Sequence, residues 1–102
     1  MDEHAVIVYF EYVGDTLDPL FALEDRLEQA IANASAGELD GNEMAVDLND
    51  GSLYMYGPDA ETLFAAVRPV LESAACLRNA RAVLRFGPPE DGTPERAETL
   101  DK

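Results

Sequence analysis

Residues 5–13 read AVIVYFEYV, and this run constrains the fold more than any other stretch of the chain. β-Branched and aromatic residues dominate it, which favours an extended strand ending at Gly14-Asp15. Both alternating sets carry apolar side chains. This points to a central strand of a sheet. Its uninterrupted apolar part, residues 5–10, is six residues long, against the ~20 that a membrane-spanning helix needs. The start lacks a basic-then-apolar pattern, so no signal peptide is expected and the setting is expected to be cytoplasmic.

The rest of the chain divides at its turn residues. Asp18-Pro19 opens a helix, with Asp18 expected as the N-cap and Pro19 at the first helical position. Leu20, Leu23, Leu27, Ala30, Ile31 and Ala34 then recur at three- and four-residue steps, and Gly37 is the expected terminator. Residues 43–48 and 53–56 alternate on either side of Asn49-Asp50-Gly51-Ser52. Asp50-Gly51 as a two-residue hairpin loop would set Leu48 opposite Leu53, Asp47 opposite Tyr54 and Val46 opposite Met55. Gly57-Pro58-Asp59 introduces a second helix with Leu63, Phe64, Val67, Val70, Leu71 and Ala74 on its stripe. Pro69 inside it predicts a kink or a break into two segments. Residues 80–86 alternate again as a last strand.

The order strand, helix, strand, strand, helix, strand is the ferredoxin-like split pattern in an α+β protein. It predicts a four-stranded antiparallel sheet with two helices on one face, in the order last, first, third, second strand. Residues 1–87 are expected to form this single domain. Residues 88–102 follow Gly87-Pro88-Pro89, are acidic and aperiodic, and are expected to be a flexible tail. A hydrophobic fraction of 47% with 27% charged residues is enough for one core without metals or disulfides, and the single Cys76 excludes an intramolecular disulfide.

Charge narrows the function. The chain carries 21 acids and 7 bases, a net of −14. Residues 1–67 hold 15 acids and one base, whereas residues 68–102 hold 6 acids and 6 bases. This field repels nucleic acid and anionic lipid and attracts basic proteins, so neither nucleic acid nor membrane is expected as a partner.

Catalytic signatures are missing. The lone His4 precedes the first strand, no serine stands in a triad pattern, and no glycine-rich phosphate loop occurs. Paired carboxylates arise by chance in so acidic a chain. No metal and no cofactor are expected. Residues 38–43, ELDGNE, offer several oxygen donors around Gly41 but lack the spacing of a calcium loop, and read as a solvated turn feeding an edge strand.

The open face of the sheet is the richest candidate. Tyr9, Glu11, Asp47, Tyr54, Tyr56, Arg81 and Arg85 are all expected on it, and tyrosine and arginine are favoured at the centres of protein contacts. Glu11 or Asp47 would pair with Arg81 or Arg85 of a second copy. The expected function is a non-enzymatic acidic interaction module, forming a homodimer or binding and inhibiting a basic partner. The alternative is a small-molecule or catalytic domain with its pocket at the sheet or dimer interface.

The run LYMYGPDAETLF at residues 53–64, with Pro69-Val70-Leu71 and LRFGPP at residues 84–89, resembles small stand-alone bacterial proteins of unassigned function. The resemblance covers the second half of the chain. It implies a bacterial cytoplasmic origin and the same fold, and it brings no catalytic residues.

Overall fold

A computed structural model describes residues 3–100. The elements are β1 (His4–Tyr12), α1 (Asp18–Ala34), β2 (Glu38–Met44), β3 (Asp50–Gly57), α2 (Ala60–Glu72), β4 (Leu77–Arg85) and β5 (Glu95–Thr99). The fold is α+β: two helices and a five-stranded sheet in the order β2-β3-β1-β4-β5, with every neighbouring pair antiparallel. β1 is the central strand. Its Val6, Val8, Phe10 and Tyr12 point into the core, beside Leu53 and Met55 of β3 and Ala82 and Leu84 of β4.

The apolar stripes of both helices close that core from one side. Leu20, Leu23, Leu27 and Ile31 are the buried residues of α1, and Ala60, Leu63, Phe64, Val67 and Leu71 are those of α2. α1 starts without a capping side chain at Leu17, so Asp18 is its first residue rather than its cap. Ser35, at φ 51, takes the left-handed closing position expected of Gly37. Gly37 serves a tighter purpose. At φ 142, it lies against β3 so closely that a Cβ would stand 2.0 Å from the Tyr56 carbonyl oxygen. α2 runs through Pro69 as one helix; the proline sits in its last turn, where few hydrogen bonds follow it.

The first two N–H groups of α2 are both capped by side chains. The Asp59 carboxylate accepts from Glu61 N at 3.1 Å, and His4 Nδ1 accepts from Ala60 N at 3.0 Å. The lone histidine is therefore part of β1 and a helix cap from outside the helix.

Two further expectations are corrected. The first concerns the hairpin. β2 begins at Glu38, and its pairs run Glu38 with Tyr56, Asn42 with Leu53 and Met44 with Gly51. Residues 45–49 form the loop, with Leu48 at φ 60. Asp50 and Gly51 are strand residues. The loop is built by Asp47, whose carboxylate accepts from both Asn49 N and Asn49 Nδ2 at 3.0 Å. This local bonding displaces the two-residue turn and leaves Val46 fully exposed at the tip.

The second correction concerns the end of the chain. Residues expected in a flexible tail include β5, which pairs along β4 from Arg81 with Thr99 to Arg85 with Glu95. Leu100 is buried and its N–H donates to Ala80 O at 3.0 Å. Arg96, on the helix side of β5, donates from Nη1 to Glu61 Oε2 of α2 at 3.1 Å and from Nη2 to Glu61 Oε1. The strand is fastened by charge and by one leucine, not by an apolar stripe. Asp101 and Lys102 of the expected tail lie outside the described residues.

Candidate functional site

The helices leave one side of the sheet uncovered, and the strand registers arrange its side chains in rows. The middle row runs Gly41, Tyr54, Ile7, Val83, Ala97 across all five strands and contains no charge. On one side of it lies Glu38, Tyr56, Ala5, Arg85, Glu95. On the other lies Glu43, Ser52, Tyr9, Arg81, Thr99. A further, shorter row at the sheet end joins Asp50, Glu11 and Arg78. Ala5 is fully buried although no helix covers it, because its neighbours Tyr56 and Arg85 flank so small a side chain.

Six of the seven residues expected on this face are there: Tyr9, Glu11, Tyr54, Tyr56, Arg81 and Arg85. Asp47 is not. The corrected register moves it into the β2–β3 loop, where its carboxylate is occupied by Asn49. Glu11 is also engaged within its own chain. It accepts from Asn79 Nδ2 at 3.0 Å and stands 3.7 Å from Arg78 Nε.

A β-bulge explains that contact. The β1–β4 register shifts between Tyr9 and Glu11, and Asn79 takes φ 52, a conformation asparagine tolerates better than most residues. The bulge turns the Asn79 amide toward Glu11. On the strand side of it, the Arg81 guanidinium lies over the Tyr9 ring, 5.0 Å from the centroid. Arg85 Nε donates to Gly87 O at 2.9 Å.

Beside the bulge is a shallow cleft of about 540 Å³ lined by Tyr9, Glu11, Glu43, Asp50, Ser52 and Arg81 among others. Among the described residues no group of three or more His, Cys, Asp or Glu is placed to hold a metal ion, and no helix is long and apolar enough to cross a membrane. Sequence reasoning missed Glu38, Gly41, Ala97 and Asn79 as members of this surface. Gly41 and Ala97 lie on edge strands too polar to show an alternating pattern.

Comparison with protein-family models and with curated proteins finds no match.

Proposed function

We propose that this chain is a non-enzymatic protein-interaction module of ferredoxin-like architecture, acting in a bacterial cytoplasm, with the open sheet face as its working surface. The ferredoxin-like reading rests on the βαββαβ order and on the neighbours β4-β1-β3-β2, with β5 as an addition outside β4. One observation carries the functional reading: an uncharged row crosses the whole sheet of a chain with net charge −14. Two further tyrosines and two arginines flank it. In so acidic a chain, an uncharged row with tyrosines and arginines around it on an open face fits a surface that meets another protein.

A photocrosslinking residue at position 54 tests this, with position 21, an exposed residue of α1, as control. In cells, position 54 is expected to give a defined crosslinked species that Tyr56→Glu removes, and position 21 is not. Equal crosslinking from both positions, or none from 54, overturns the reading. The cleft beside the bulge favours a second reading, a small-molecule site at the sheet interface. A thermal-shift survey of cationic metabolites against wild type and Tyr9→Ala tests it. A stabilisation lost in the variant would support that reading.

A further inference from the structure

We infer that the occupant of the open face is a second copy of this chain, seated face to face about a two-fold axis parallel to the strands. The inference deepens the proposed function and rests on it. Its observation is the order of charge within the rows. In both rows beside the neutral band, a glutamate stands on β2 and an arginine on β4: Glu38 with Arg85, and Glu43 with Arg81. A column of acid and a column of base thus run along the two flanks of the β3–β1 centre.

A two-fold axis along the strands, between β3 and β1, keeps each row in place and exchanges its left and right sides. Arg81 then lies over Glu43 of the other copy, and Arg85 over its Glu38. In the neutral row Tyr54 lies over the other copy's Ile7, and Gly41 over its Val83. Tyr56 lies over the small Ala5. The columns stand about one and a half strand spacings, roughly 7 Å, from the axis, so the usual ~30° rotation between packed sheets keeps each arginine within reach of its acid. An axis across the strands instead sets arginine over arginine and glutamate over glutamate.

The acids needed are available. Among the described residues neither the Glu38 nor the Glu43 carboxylate has a hydrogen bond or ion pair, whereas those of Glu11 and Asp47 are engaged. A basic partner fits this face less well, because it would meet Arg81 and Arg85. Asp50 and Glu11 come face to face at the sheet end, and each copy carries −14, so association strengthens when salt screens the repulsion.

The test is sedimentation of the full chain, with circular dichroism to establish that each variant folds. Wild type is expected to dimerise, more so at moderate salt, and Tyr54→Glu to be monomeric. Arg81→Glu and Glu43→Arg are each expected to weaken the dimer by roughly tenfold or more. An equimolar mixture of the two restores both charge pairs and is expected to return to within about threefold of wild type. A mixture that stays monomeric while wild type dimerises overturns the strand-parallel arrangement, and an Arg81→Glu dimer tighter than wild type points to the crosswise axis. A wild type that is monomeric at high concentration overturns the second copy as occupant; crosslinks from position 54 to another protein would then leave the interaction face itself standing.

Discussion

Arg96 of β5 grips Glu61 of α2 with both terminal nitrogens of its guanidinium, and its Nε donates to Glu98 Oε2 at 2.9 Å. The last strand of the sheet is thereby joined to the first turn of a helix 35 residues earlier. Hydrogen bonding from Arg96, then its charge, holds the Glu61 carboxyl below its ordinary range. Because the folded value is the lower one, the stabilisation is present above the unfolded carboxylate range, about pH 4.3, and is lost as pH falls through the folded value. Wild type is expected to resist urea slightly better than Glu61→Gln at pH 7, with the gap closing on acidification. A gap that stays constant down to pH 3 would break this link.

Removing residues 95–102 takes away β5 and Leu100 and leaves the outer edge of β4 unpaired. Burial of one leucine alone is worth about 2 kcal/mol. The truncated chain is expected to melt several degrees lower and to aggregate more readily through the bared edge. Unchanged melting would mean that β5 contributes no stability in solution.

Gly51 pairs with Met44, and a Cβ on it would meet Met44 Sδ at 2.3 Å and the Glu43 carbonyl oxygen at 2.8 Å. Gly51→Val is expected to cost about 1–3 kcal/mol by overpacking, read from a denaturant titration. The cause is crowding and not backbone conformation, so Met44→Ala in the same chain should recover part of the loss. Additive losses in the double variant would contradict that account.

His4→Ala leaves the Ala60 N–H without its acceptor and removes the edge contact between the imidazole and Phe86, whose ring centroids are 5.8 Å apart. The expected loss is about 1 kcal/mol, with faster amide exchange in the first turn of α2. His4→Asn, which keeps an acceptor, should recover part of it. Equal loss in both variants would assign the effect to packing alone.

Tyr12 donates from its hydroxyl to Thr16 O at 2.6 Å, and burial pushes its phenol above the ordinary range. With the folded value the higher one, stability is full below the unfolded tyrosine range, about pH 10, and is lost as pH rises through the folded value. Tyr12→Phe is expected to be less stable at pH 7 by about 1 kcal/mol and to lose less between pH 9 and 11. Parallel alkaline curves for the two proteins would exclude Tyr12 as the titrating group.

The elements legible in the sequence were those whose apolar period is written into the chain. The helix stripes from Leu20 to Ile31 and from Leu63 to Leu71, and the strand around Val6 and Val8, could be read because burial alone specifies them. β2 and β5 were not legible. ELDGNEM and ERAET are edge strands: in the first, an irregular register at Asp40 and the polar Asn42 interrupt the helix-side pair Leu39 and Met44, and in the second the helix-side positions hold Arg96 and Glu98, so backbone pairing with an apolar neighbour makes them strands. The same blindness misplaced Asp47. Asp50-Gly51 has the composition of a tight turn, but the Asp47 carboxylate and the room Gly51 leaves for Met44 decide otherwise, and neither is a property of two residues. Six members of the open face survived the corrected register because they lie on β1, the second half of β3 and β4, where alternation is strong.

On the β2 border the ladder is broken at Asp40, and Gly41 follows at φ 136. The opposite border is only five residues long and mostly charged. A strand from a neighbour laid along either one would lose its hydrogen-bond register within a few residues and run against carboxylates. The sheet has no growing end. Crowded solutions of this protein should therefore stop at discrete particles and not lengthen into fibres, and a peptide built to extend the sheet would find no place to start.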